Sequence, residues 1–140
     1  MLTTSRHRDG TLERREAILR DALESILRDH GPDSDLESVA RRIGTSRRQL
    51  QRVFAELSDR SFRDTIAAVR MAHARKLLAQ TDRPIAEIGR LAGYHQAAQF
   101  SKAFRHHHGT SPRVYRQRAR NVTVSLNGDA GTPVSAERTP

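Results

Sequence analysis

Two clusters of side chains have the types and spacing needed to read the edges of nucleic-acid bases. The first is Arg47, Arg48, Gln51 and Arg52; the second is His95, Gln96, Ala97, Gln99, Ser101, Lys102 and Arg105. An arginine fork donates two parallel hydrogen bonds to the O6/N7 edge of guanine, and a glutamine amide pairs bidentately with adenine. Spacings of three and four residues put Arg48, Gln51 and Arg52 on one face of a helix, and Gln99 with Lys102 on another. The second cluster is richer in amides and poorer in charge. A single charged helix face is usually only a solvated one. Two such faces, at matching places in a spaced repeat, call for a common function.

Other chemistries are poorly supplied. Cysteine is absent, which excludes disulfides, thiolate metal sites and cysteine nucleophiles. His106, His107 and His108, with His95 nearby, suggest a metal at first sight. Consecutive helical residues point in different directions, so they read as surface or phosphate-facing histidines near a helix end, and neither a metal nor another cofactor is expected. No Gly-x-Ser-x-Gly nucleophile motif and no glycine-rich phosphate loop occurs, so an enzyme is not expected.

The charge lies where the two clusters lie. The 140 residues carry 25 basic and 16 acidic side chains, net +9. Residues 36–118 hold 17 basic and 6 acidic side chains, net +11, whereas residues 1–35 are net −2 and residues 119–140 are neutral. All six aromatics (Phe54, Phe62, Tyr94, Phe100, Phe104, Tyr115) fall within 36–118. Basic surface and core therefore belong to one folded unit whose partner is anionic. No apolar run approaches the roughly 18 residues of a membrane span, and no secretory segment opens the chain. Short helices with glycine turns suit a globular core better than a membrane-surface helix. The expected location is cytoplasmic and the expected partner double-stranded DNA, because the A-form RNA major groove is too narrow for such helices.

The elements that must position these residues are all helical. Apolar residues at 12, 19, 22, 23, 26 and 27 predict a helix over about 12–30, stopped by Gly31-Pro32. Asp35 caps a helix ending at Gly44, and Thr45-Ser46 caps one bearing Leu50, Val53, Phe54 and Leu57. Ser61 with Asp64 resembles a capping box opening a long helix to about residue 80. Pro84 suits the first position of a helix ending at Gly93, Gln96 to His107 forms another, and Ser111-Pro112 caps the last. Residues 1–10 are expected to be disordered and 119–140 to form a flexible tail, in which Val122, Val124 and Leu126 alternate as in a short strand. The fold class is all-α, about seven helices without a sheet.

An internal repeat organises them. Leu36-x-x-Val39-Ala40-x-x-Ile43-Gly44 leads to Leu50-x-x-Val53-Phe54; Ile85-x-x-Ile88-Gly89-x-x-x-Gly93 leads to Phe100-x-x-x-Phe104, with one more residue in the turn. Each is a short helix, a glycine turn and a second helix, the outline of a helix-turn-helix. Ala40 and Gly89 permit close helix approach, and Gly44 and Gly93 supply the positive φ of a tight turn.

Together these residues resemble the DNA-binding domain of AraC/XylS-type bacterial transcription regulators. The resemblance is carried by Val39-Ala40-x-x-Ile43-Gly44-x-Ser46-x-x-x-Leu50-x-Arg52-x-Phe54 and by Arg70-Met71-x-x-Ala74-Arg75-x-Leu77-Leu78. Ile85 to Tyr94, Phe100 to Arg105 and Gly109-Thr110-Ser111-Pro112-x-x-Tyr115-Arg116 complete it. It implies a domain over about 11–118, with helix-turn-helix units at about 36–57 and 84–108 joined by a linker helix at about 61–80. It also implies base reading by Arg48, Gln51 and Arg52 in one unit and by Gln96, Ala97, Gln99 and Lys102 in the other. The recognition helices are then expected in successive major grooves, roughly 34 Å apart. Departures are Asp59 where the family usually has glycine, His108 where an aromatic is common and Ala98 in place of serine.

The expected function is a sequence-specific DNA-binding transcription regulator. The alternative is a degenerate member acting as a protein-interaction module or a non-specific DNA binder. The acidic first helix (Glu13, Glu16, Asp21, Glu24, Asp29) is a candidate surface for RNA polymerase or a partner regulator. The 35 residues before the first unit hold a single helix, too few for a sensor domain, so no small-molecule ligand domain is expected.

Overall fold

A computed structural model describes the backbone of residues 2–131 and the side chains of residues 10–125. Among the described residues there are seven helices and no strand: α1 (Leu2–Arg28), α2 (Leu36–Ile43), α3 (Arg47–Leu57), α4 (Phe62–Gln80), α5 (Ile85–Leu91), α6 (Ala97–His108) and α7 (Pro112–Gly131). None is long and apolar enough to cross a membrane.

Helix starts follow the capping residues. Asp35 accepts from the Ser38 amide at 2.8 Å while its own amide donates to Ser38 Oγ at 2.9 Å, a reciprocal box that closes α2. Ser46, Ser61 and Ser111 accept from the amides of Gln49, Asp64 and Val114. At Ser61 only this half of the expected box forms. Pro84 occupies the N-cap of α5 rather than its first helical position.

Two ends differ from the expectation. α1 begins at Leu2, where a disordered segment through residue 10 is expected; no proline interrupts residues 2–28, and the backbone carries the helix through Gly10. α7 runs on to Gly131, past the expected boundary at 118, and it contains Val122 and Val124, so these belong to a helix and not to a strand. Arg116 and Arg120 tie α7 to the end of α4: Arg116 donates to the carbonyls of Leu78, Thr81 and Arg83, and Arg120 donates to that of Thr81 and pairs with Asp82. The last part of the expected tail, residues 132–140, lies outside the described residues.

Two cores share α4. The first gathers Ala22 and Ile26 of α1, Val39 and Ala40 of α2, Leu50 and Phe54 of α3, and Ile66 of α4. The second gathers Met71, Ala74 and Leu78 of α4 with Ile88, Ala92, Phe100 and Phe104. At about 100° per residue, Phe62, Ile66 and Val69 lie on one side of α4 and Met71, Ala74 and Leu78 on nearly the other. The crossover falls at Arg70.

The two turns differ in length but close in the same way. The Gly44 and Thr45 amides donate to the carbonyls of Arg41 and Ala40, and the Gly93 and Tyr94 amides donate to those of Arg90 and Gly89. Both are Schellman closures around a glycine of positive φ, 77° at Gly44 and 105° at Gly93. Asp59 stands where a glycine is usual, yet no described non-glycine residue has positive φ, so the turn before α4 makes no such demand.

Candidate nucleic-acid interface

Each recognition helix is held by its buried face and presents the opposite one. In α3, Leu50, Val53 and Phe54 are buried. Arg48 and Arg52 lie diametrically across the helix, Gln51 lies about 100° round from Leu50 at the edge of the outward face, and all three are exposed, while Arg47 stands at the flank of the first turn. These four side chains make no hydrogen bond or ion pair with any described residue. Their donors are free for a ligand. Two neighbouring arginines on other elements are engaged: Arg42 pairs with Asp29 at 3.1 Å and Arg15 with Glu56.

In α6, Phe100 and Phe104 are fully buried, and Lys102 points directly away from them. Arg105 and Gln99 flank Lys102 on either side, all three exposed. Ala98 lies between Lys102 and Arg105 on this outward face and contributes no polar group there. Ser101 is half-buried, at the margin of the face. Gln96 is the N-cap and makes no side-chain cap bond, so its amide is unspent. Ala97 opens the helix, exposed. His95 precedes α6 and lies 3.9 Å from Asp33, so the structure separates it from the outward face and turns it towards the loop after α1.

The histidine run splits as the helix demands. His106 and His107 are exposed, whereas His108 packs against Phe104 with the rings tilted (4.5 Å between centroids) and lies 6.2 Å from Tyr115. His108 therefore fills the place of the family's aromatic. Its Nε2 is buried without a partner. Burial, then Arg75 and His107, holds its pKa below the ordinary histidine value.

Sequence patterning missed a junction behind the two faces. Arg70 of α4 donates to the carbonyls of His30 (2.9 Å) and Gly31 (2.7 Å), which follow α1. Its guanidinium lies 5.7 Å from the ring centre of Tyr94. A Cβ on Gly93 would collide with both the His30 carbonyl oxygen and Arg70 Nε. His30 Nε2 is 2.8 Å from His73 Nδ1, and His30 Nδ1 is 3.1 Å from the Ile26 carbonyl. That carbonyl only accepts, so His30 Nδ1 carries a hydrogen. One signal was available: an arginine on α4 at the point where its apolar stripe changes sides.

Two helix-turn-helix units on a shared helix, each with an unpaired polar recognition face, define a DNA-binding module of transcription regulators. A family model described as a helix-turn-helix domain matches residues 39–118. The chain belongs to the AraC/XylS family of regulators. It is 31% identical over 123 residues to the HTH-type transcriptional activator RhaR of Klebsiella pneumoniae, covering 85% of this chain and 44% of the relative. It is 38% identical over 85 residues to the HTH-type transcriptional regulator GlxA of Rhizobium meliloti, covering 61% of this chain and 26% of the relative. The chain thus spans a quarter to under a half of the length of these relatives. Its fold matches an AraC-type regulator from Chromobacterium violaceum (TM-score 0.68, 28% identity, 74% of this chain and 93% of that one). It also matches the DNA-binding domain of AdpA, solved in complex with a target DNA (TM-score 0.64, 27% identity, 76% and 93%).

Proposed function

We propose that this chain reads an asymmetric DNA site through two successive major grooves and regulates transcription from it. The observation that carries this is two free recognition faces, on α3 and α6, whose units share the uninterrupted helix α4. Arg48, Gln51 and Arg52 are assigned to bases in the first groove; Gln96, Ala97, Gln99 and Lys102 in the second. Arg47, His95, Ser101 and Arg105 are assigned to the sugar–phosphate backbone around them. Phosphate contacts orient a protein on the duplex and base contacts specify the sequence.

The test is selection of bound duplexes from a random library by the chain at physiological salt. An asymmetric motif with two contacted segments about ten base pairs apart is the expected result. A palindrome would point to a dimer instead. Retention of all sequences alike, lost as salt rises, would sink the proposal in favour of non-specific coating.

A partner surface on α1 is a second reading. Asp29 is occupied by Arg42 and by the Gly31 amide, and Glu24 pairs with Arg28 at 3.7 Å, which leaves Glu13, Glu16 and Asp21 for an encounter with RNA polymerase or another regulator. Leu23 and the 65%-exposed Leu27, with Leu57, form an apolar trough beside Glu16 and Glu24. Charge reversal at Glu16 and Asp21 should lower transcription in a reconstituted system without changing DNA affinity. An unchanged transcript level removes this reading.

A further inference from the structure

The structure assigns to Arg70 a positioning role that sets the spacing at which the two recognition helices meet DNA. Three parts of the chain converge on this side chain: the end of α1, the middle of α4, and the turn between α5 and α6. The end of α1 belongs to the first core and the α5–α6 turn to the second unit. Arg70 donates from Nε to the His30 carbonyl and from a terminal nitrogen to the Gly31 carbonyl, which also accepts from the Ser34 amide, so the fork grips the turn that follows α1. On its other side stand Gly93, which has no room for a Cβ, and the half-buried ring of Tyr94.

A planar fork that spans two carbonyls fixes direction as well as distance, which a single ammonium does not. The His30–His73 bond adds a second strut between α1 and α4, one turn along α4 from Arg70. Without these ties, the first unit and the turn that leads into α6 would be linked through the α4 backbone and the side-chain packing on either side of it. Arg70 touches neither recognition face. It acts on base reading only through the angle between the two units.

This inference rests on the two-groove reading, and the experiment separates the two. Duplexes are selected from a random library by wild type, Arg70→Gln and Arg70→Lys, and the distance between the two enriched segments is scored. Circular dichroism and thermal melting confirm that each variant is folded. Wild type is expected to prefer one spacing over its neighbours by about tenfold, a usual size for coupling between two sites. Arg70→Gln is expected to enrich the same two segments at two or more spacings, or at one shifted by a base pair. Arg70→Lys, with one point donor, is expected to fall between. If Arg70→Gln does not fold, the Arg70→Lys distribution alone decides. Variants that keep the single wild-type spacing and merely bind more weakly overturn the role. Absence of any two-segment motif with wild type overturns the DNA reading itself.

Discussion

Gly89 of α5 lies against the ring of Phe100 of α6: a Cβ at Gly89 would stand 3.0 Å from the ring's Cγ. At the equivalent place in the first unit, Ala40 carries its Cβ without conflict and is buried. The two units therefore share a plan but not a clearance. Gly89→Ala is expected to cost about 1–3 kcal/mol through overpacking against Phe100. Thermal or urea unfolding measures this. Gly10→Ala, at a glycine with nothing within 4 Å of its Cβ position, serves as the control.

Arg48 and Arg105 are exposed arginines with different assignments. Arg48→Ala should cost about 1–3 kcal/mol on the selected site and relax preference at one base pair. Arg105→Ala should weaken all sequences alike and lower the salt slope by about one. Titrations against the selected site and a scrambled duplex, at several salt concentrations, distinguish the two. Equal losses of Arg48→Ala on both duplexes would reassign it to the backbone.

His108 carries a pH signature. Its pKa in the folded chain lies below the unfolded value, first because of burial and then because of Arg75 and His107. The unfolded chain then binds more protons as pH drops through about 6.5, and stability declines with it. His73 adds a change of the same sign, caused by burial, His30 and Lys76. His108→Phe removes an unpartnered buried nitrogen and should raise stability by about 1 kcal/mol at neutral pH. Its advantage should widen towards about pH 5.5, where wild-type His108 resists protonation only at the expense of the fold. Parallel melting curves for the two proteins across that range would count against the assignment.

The Asp35 box predicts a smaller, local effect. Asp35→Ala should cost about 1 kcal/mol and Asp35→Asn much less, because asparagine caps nearly as well. The Ser38 amide holds the Asp35 carboxyl below its ordinary pKa, so this contribution persists above the usual carboxylate range and is lost as pH falls through the lowered value. Acid titration followed by circular dichroism reads this out.

The units were legible because glycine and serine punctuate them. Gly44 and Gly93 both stop a helix at a positive-φ turn, and Asp35, Ser46, Ser61 and Ser111 each sit at a helix start. The outward faces followed from the same periodicity, since Leu50 and Phe100 fix which side is buried. α1 and α7 outran their expected ends because polar, proline-free sequence continues a helix without apolar periodicity to mark it. The residue Arg70 stood out in the sequence, but its partners did not. Its partners are backbone carbonyls 39 and 40 residues away, and such contacts leave no pattern in side-chain order. In the sequence Ala98 stands out only as a departure from serine; its place on the outward face of α6, beside Lys102, follows from the helix periodicity.

The sharing of α4 between the two cores constrains how this protein can change over generations. Each residue inserted between Val69 and Met71 would advance the second unit by about 1.5 Å and swing it round by about 100°. A single-codon insertion or deletion there would therefore carry α6 away from the groove rather than to an adjacent register. Lineages of such a domain can drift smoothly in which bases they prefer, through substitutions at Arg48 or Lys102. Changes of chain length within α4 offer no such gradual route to a new stride; only substitutions at the junction, such as at Arg70, leave one open.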